Sequence, residues 1–376
     1  MKIALVHEFL NQLGGAERVL ENFLEIWPAY AKASASELDA TVHVILYDKD
    51  KTLGRFEEYK KRISWLNALP GVKRHPRLFL ILMPGAIEGF EFDDYDVVLS
   101  DSSSFAKGAN ARNKLHICYC HTPTRFLWTE PEYLDYQEYP ALLKFFGHLV
   151  LPRLKRWDYQ AAQKPNFFIA NSSNVQHRIK NYYKRDSVVI YPPVDTDFFK
   201  PLGEKKNYFF TASRLEPYKK VEAIIEAFNR LGWPLKIAGK GTHMEKLKQI
   251  SKPNIEFLGR VLDEDLRRLY SEARAFVFAA EEDAGIVLIE ANACGTPVIA
   301  FKAGGAKEMV KENITGMFFN EQTADSLMEA LKNFDVTKFD PLKLREHAEK
   351  FSKKFFQQKI KNFVDEKYLE FQKGKL

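Results

Sequence analysis

Short runs of β-branched and aromatic residues alternate with longer amphipathic stretches along the whole chain, and the alternation is broken once, at Tyr191-Pro192-Pro193-Val194-Asp195. Strand, helix, strand in succession requires right-handed crossovers, which lay the strands parallel and cover both faces of the sheet. Two consecutive prolines remove two amide donors, so the pattern ends there. Before them the spacing predicts strands at Lys2–His7, Thr41–Tyr47, Val97–Ser100, Leu115–His121, Phe167–Asn171 and Val188–Tyr191, with helices at Ala16–Ile26, Tyr139–Gln163 and Asn174–Tyr182. After them it predicts strands at Tyr208–Thr211, Leu235–Ala238, Ile255–Leu258, Ala275–Phe278, Pro297–Phe301 and Met317–Phe319, then only helix from Leu342. A chain of 376 residues also exceeds what one core comfortably serves. The expected fold class is therefore α/β with two doubly wound, Rossmann-like domains, 1–190 and 201–350, joined by a linker at 191–200. A C-terminal helix over 351–376 is expected to pack back toward the first domain. Sheets of this kind take ligands at their carboxyl ends, here in a cleft between the two domains.

Composition narrows the function classes. A formal charge of +6 is mild for this length and lacks the basic footprint of a nucleic-acid binder. Three cysteines, Cys118, Cys120 and Cys294, make no disulfide framework, so a reducing, cytoplasmic setting is expected. Met1 leads into an apolar run too short for a signal-peptide core, which reads as the start of the mature chain. The apolar run Leu78–Met83 falls far short of the roughly 20 residues that span a bilayer. Two stretches nevertheless suit the inner face of an anionic membrane. Lys60 to Ile87 has no acid and carries Lys60, Lys61, Arg62, Lys73, Arg74 and Arg77 beside Trp65, Leu66, Leu69 and Leu78–Met83; Leu142 to Arg156 repeats the theme.

Several loops carry chemistry. Gly14 and Gly15 lie between the first strand and the first helix, where backbone can approach a ligand and helix amides can meet an anion. Gly-x-Gly-x-x-Gly is absent, which removes the main support for a nicotinamide dehydrogenase. His121 ends a strand. Zinc on His116, Cys118, Cys120 and His121 is not expected, because alternation puts the first three on one face and His121 on the other. Arg214 and Lys219 follow the first strand of the second domain, a fork and a point charge able to neutralise a diphosphate. Gly239 and Gly241 follow the next strand, and Gly304-Gly305 a later one. In Glu281-Glu282-Asp283-Ala284-Gly285-Ile286-Val287-Leu288-Ile289-Glu290, Glu282 falls in the loop and Glu290 about one turn inside an apolar helix, where a carboxylate needs a partner.

In this order the features resemble the retaining glycosyltransferases of family 4, which have the GT-B fold. The resemblance covers nearly the whole chain and rests on Gly14-Gly15, His121, Tyr191 to Asp195, Ser213 to Lys219, and Glu282/Glu290 running on to Gly295 to Ile299 and Gly304 to Glu308. His7-Glu8-Phe9 and His121 to Trp128 look most like O-antigen-type mannosyltransferases. The resemblance implies that Arg214 and Lys219 hold the donor diphosphate and that Glu290 binds the nucleotide ribose. It gives Glu282 and the backbone of Gly285, Ile286 and Val287 the sugar hydroxyls, His121 a sugar contact from the first domain, and Gly14 and Gly15 the reaction centre. Ala284 stands where the family usually has Phe, and Lys220 where it usually has Gly. The expected activity is retaining transfer of a hexose, first from GDP-mannose, alternatively from a UDP-hexose, to a glycan or lipid-linked hydroxyl, with no metal and no further cofactor. A nucleotide-sugar binding protein without transfer activity and an epimerase are the other readings.

Overall fold

The structure, a computed structural model, describes residues 1–28, 40–129 and 141–374, apart from the side chains of 141–146. Two units divide the chain: Met1–Tyr191 with Gln357–Leu376, and Pro192–Phe356.

The first unit is built on a seven-stranded parallel sheet, β1 (Ile3–Leu10), β2 (Ala40–Tyr47), β3 (Lys61–Ile63), β4 (Val97–Ser102), β5 (Leu115–Cys120), β6 (Phe167–Ala170) and β7 (Val188–Val189), in the order β3-β2-β1-β4-β5-β6-β7. β1 is buried along nearly its whole length, as a central parallel strand covered on both faces must be. It runs through Glu8 to Leu10, past the point where the apolar pattern ends, because the ionisable His7 and Glu8 find partners inside. The strand β3 was not legible: Lys61-Arg62-Ile63 is short, basic and at the sheet edge. The predicted helix over 139–163 starts outside the described residues and is seen as Ala141–Ala161. The predicted helix Asn174–Tyr182 is seen as Ser173–Arg178 and continues as a π turn, Ile179–Tyr183. In the last helix, Lys353–Gln372, Gln357 donates to Glu25 and the Phe363 ring meets Phe167 edge-on.

The second unit carries a six-stranded parallel sheet, β8 (Phe209–Ala212), β9 (Leu235–Ala238), β10 (Ile255–Gly259), β11 (Phe276–Phe278), β12 (Val298–Phe301) and β13 (Gly316–Phe319), ordered β10-β9-β8-β11-β12-β13. Its core gathers Phe209, Ile225, Phe228, Ile237, Val277, Ile299 and Leu327 between sheet and helices. Every predicted strand of this half is present within about two residues of its expected ends, the ordinary uncertainty of strand boundaries. The architecture is the expected one of two doubly wound α/β domains.

The two orders fix where ligands can enter. In each sheet the chain first builds outward on one side of its first strand and then returns to build on the other. The switch lies between β1 and β4 in the first unit, and between β8 and β11 in the second. The strand ends flanking a switch diverge to either side and leave a crevice at the carboxyl edge.

Candidate active site

In the second unit the loops at the switch come from β8, which leads to Arg214 and Lys219, and from β11, which leads to Glu282. Lys219 Nζ and the Glu282 carboxylate form an ion pair across the crevice, with both side chains largely shielded. The exposed Arg214 guanidinium donates to the Tyr218 hydroxyl at 2.8 Å. The two loops beside them are fitted by glycines. A Cβ on Gly241 would lie 2.2 Å from the Leu215 carbonyl oxygen, and one on Gly304 would lie 2.3 Å from that of Glu282. Such contacts cannot be relieved without moving backbone. Leu215 N–H donates to Lys240 O, and Gly305 N–H to Glu282 O, so each glycine loop is stitched to the loop that carries the charges.

Gly285, at φ +76°, opens the helix Ile286–Ala293, and no side chain caps that helix. The Leu288 N–H donates to Gly285 O, while the first-turn amides of Ile286 and Val287 retain donor capacity, and the helix dipole adds positive potential there. Glu290 is 2% exposed and accepts a bond of 3.1 Å from the Tyr270 hydroxyl. It has the buried partner that its apolar surroundings demand, and it lies below the surface that presents Glu282. Lys220 takes the left-handed conformation (φ 55°) at the start of the helix Val221–Leu231. Glycine suits that position without penalty; lysine accepts backbone strain to place a cation there.

In the first unit His7 and Asp101 are directly opposite in the β1–β4 register. His7 Nδ1 donates to Asp101 Oδ2 at 2.9 Å, and the other Asp101 oxygen takes His121 Nε2 at 2.5 Å. On the far side of His7, Nε2 lies 3.9 Å from Glu17, whose second oxygen accepts the Gly14 N–H at 2.8 Å. A chain of two imidazoles and two carboxylates thus runs from the Gly14 loop to His121. Burial opposes charge on His7, but the Asp101 bond and the Glu17 carboxylate prevail and push its pKa up to about 10. Burial likewise works against ionising Asp101, and the two histidines outweigh it, holding the carboxyl below its usual range. His121 is raised as well, burial being overcome by the Asp101 charge. Imidazolium is therefore the resting form of the His7 ring at neutral pH, and the Asp101 charge shifts His121 in the same direction.

Two further buried carboxylates shape this crevice. Glu8 accepts from the backbone N–H groups of Ser103, Ser104 and Ala106 and from the Ser102 hydroxyl, which fixes the loop after β4. Asp158 takes Lys107 Nζ at 2.5 Å, Thr124 Oγ1 at 2.6 Å, Trp128 Nε1 at 2.7 Å and the Tyr183 hydroxyl at 2.8 Å, which ties down the segment after His121. His116 bonds Ser100, and its burial lowers the pKa to about 3. The Cys118 thiol is pushed up to about 12 by burial. Asp-x-Asp triplets occur at Asp48, Asp94, Asp195 and Asp263, and none follows β1, β4, β8 or β11, the strands that flank the switches.

The structure thus groups Arg214, Lys219, Glu282, Gly239, Gly241, Gly285, Ile286 and Val287 at one sheet edge, with Glu290 beneath. It groups Gly14, Gly15 and His121 at the other sheet's edge. Sequence reasoning missed Asp101, His7, Glu17 and Glu8. The signal was present: ionisable residues inside strands expected to be buried must meet partners.

Known proteins fit this arrangement. Residues 13–198 match the family model Glycosyltransferase Family 4, and residues 193–355 match Glycosyl transferases group 1. A GDP-mannose-dependent alpha-(1-6)-phosphatidylinositol monomannoside mannosyltransferase of Mycobacterium tuberculosis is 30% identical over 171 residues, 37% of this chain and 44% of that protein. A glycosyltransferase of Methanocaldococcus jannaschii is 26% identical over 196 residues, 50% of this chain and 54% of the other. The matches thus span about half the length of these curated relatives. The crystal structure of Anabaena HepE with UDP superposes with a TM-score of 0.72 at 19% identity, covering 97% of this chain and all of that one. At that identity the superposition speaks for the fold alone, which is GT-B.

Proposed function

The chain belongs to the glycosyltransferases of family 4 and group 1 type, and we propose that it moves a hexose from a nucleotide diphosphate sugar to an acceptor hydroxyl with retention of configuration. The observation that carries this reading is the pairing of a diphosphate-competent loop, Arg214 to Lys219, with the Glu282 loop and an uncapped helix N-terminus at one switch point. Transfer leaves a nucleoside diphosphate, whose growing charge must be stabilised in the transition state. Arg214, Lys219 and the amides of Ile286 and Val287 supply positive potential from the chain itself, and neither a metal nor a further cofactor enters this reading. Glu282 takes the sugar hydroxyls and Glu290 the ribose. His121, held by Asp101 and grouped with the Gly14 loop, is the first unit's candidate for a sugar contact. Attack on the same face as departure, with a leaving phosphate oxygen taking the acceptor proton, needs no enzymic nucleophile.

GDP-mannose is the donor proposed, supported by the motif resemblance and by the mannosyltransferase relative, with a glycan or lipid-linked hydroxyl as acceptor. A UDP-hexose is the second reading; the HepE structure that shares this fold was crystallised with UDP.

Arg214→Ala tests the diphosphate assignment. The side chain is exposed, so the fold should survive, while the lost charge-assisted bonds, about 1.5–3 kcal/mol, should weaken nucleoside diphosphate binding roughly tenfold or more. Titration calorimetry with GDP and UDP reads this directly, and unchanged affinity for both would remove Arg214 from the site.

A further inference from the structure

Glu290 differs from Arg214, Lys219 and Glu282 in working from below the surface. Its neighbours Leu288, Ile289 and Ala291 are apolar and buried, and so is the carboxylate. The backbone of its helix is pinned at the far end. Asn292 Nδ2 donates to the Thr296 and Thr315 carbonyls, each at 3.1 Å, and Arg345, on the helix Pro341–Glu349, donates to the Ala293 carbonyl at 3.3 Å. That pinning fixes where the Glu290 side chain begins. It does not fix the carboxylate, which hangs on a long, rotatable stem.

Tyr270, on the helix Asp263–Glu272, is the fixed point that the carboxylate meets. Its side chain has no exposed surface, and its ring meets Phe199, Phe210 and Phe276 edge-on at centroid distances of 5.2–6.2 Å, the geometry aromatic pairs prefer. Its carbonyl accepts the Thr296 hydroxyl at 2.5 Å, and the same hydroxyl accepts Lys205 Nζ. Ring and backbone are thus both held, so the phenol oxygen cannot follow a moving partner. An ionised carboxylate is an acceptor with about four lone-pair sites, of which the Tyr270 bond uses one. Ribose hydroxyls are donors, the complement such a carboxylate needs.

We propose that Tyr270 is a positioning residue for donor recognition, its hydroxyl holding the Glu290 carboxylate in the orientation that accepts the ribose hydroxyls of the nucleotide. The inference deepens the donor reading and rests on Glu290 taking the ribose. Being wholly buried, Tyr270 acts only through Glu290. A Tyr270 that merely satisfied a buried carboxylate would support the fold and leave the preference for ribose untouched. A positioning Tyr270 sets that preference.

Calorimetric titration of the full chain with GDP and UDP, and with 2′,3′-dideoxy-GDP and 2′,3′-dideoxy-UDP, reads the ribose contribution as a ratio of affinities. The parent should prefer the ribonucleotide on the order of tenfold or more, as hydrogen bonds to a charged group allow. Tyr270→Phe deletes one oxygen and keeps the ring box filled. It should retain its circular dichroism, bind the ribonucleotide roughly tenfold more weakly and bind the dideoxy form as the parent does, so that the preference collapses. Glu290→Gln should lose the preference too, and adding Tyr270→Phe to it should cost no more, the non-additivity of groups that act as one. That double variant leaves no buried charge without its partner, so it carries the test if the single variant does not fold. A Tyr270→Phe chain that keeps the parent's preference, or that weakens both forms equally, while Glu290→Gln has lost the preference, overturns the inference and leaves the ribose reading standing. A further loss of preference in the double variant overturns it as well. A parent without the preference, or a Glu290→Gln chain that keeps it, overturns the ribose reading and the inference with it.

Discussion

Lys219→Ala is expected to lower kcat on the order of 10²–10³-fold, the usual cost of deleting one group aimed at developing charge. The ion pair makes the effect larger than the loss of a cation, because Glu282 would then face the donor phosphates unpaired. Glu282→Gln isolates the other half. It releases Lys219 from its partner, so nucleoside diphosphate should bind as well as before or more tightly, while transfer still falls sharply for want of the sugar contact. Binding by calorimetry and turnover on the same preparations separate these outcomes. In the variant carrying both substitutions, nucleotide affinity should return toward that of the parent without restoring turnover, a non-additivity that adjacent, directly paired groups produce. If Glu282→Gln weakens nucleotide as much as Lys219→Ala does, the carboxylate is not set against the diphosphate.

Asp101→Asn should have the largest effect on stability. Removing one charge from a buried pair costs about 3–5 kcal/mol, and here the carboxylate serves two imidazoles at once. The sign of the pH dependence follows from the His7 shift. Its pKa is raised from 6.5 to about 10, so its stabilisation is complete below pH 6.5 and lost as pH rises through about 10. The melting temperature of the parent chain should therefore fall over that window, and the variant, melting lower throughout, should show a flatter profile. A structural role alone would stop there. Because the Asp101 charge also raises the His121 pKa, the variant's turnover should decline at lower pH than the parent's. Identical pH–rate profiles would confine Asp101 to folding.

How far the sequence discloses this molecule depends on what each residue is answering to. Strands such as Phe276–Phe278 and Val298–Phe301 are apolar because a covered parallel sheet demands it, and a local pattern suffices to find them. The Lys61–Ile63 edge strand answers only to its neighbour β2 and leaves no local trace. In the site, Gly241 and Gly304 were readable as glycines near a ligand. That they are required by the Leu215 and Glu282 carbonyls is a fact of tertiary packing. Lys219 and Glu282 lie on loops far apart in sequence, and only the sheet order joins them. The His7–Asp101 pair was hidden for the same reason, since its register is set by β1 and β4 lying side by side. Lys220 shows the converse: a departure from the family pattern becomes intelligible once its φ of 55° identifies a position that glycine ordinarily serves.

Release of nucleotide from a sugar donor tests the central claim most directly. The chain should be incubated with GDP-mannose and, separately, with UDP-glucose and UDP-galactose, while free nucleoside diphosphate is followed by chromatography and the anomeric proton by NMR. Water serves as a slow surrogate acceptor, so GDP should accumulate above the enzyme-free rate, and the released mannose should first appear as the α anomer from the α-linked donor. UDP release instead would move the donor assignment and leave the chemistry standing. Release of neither nucleotide, conversion of the sugar while the nucleotide stays attached, or first appearance of the β anomer would contradict retaining transfer.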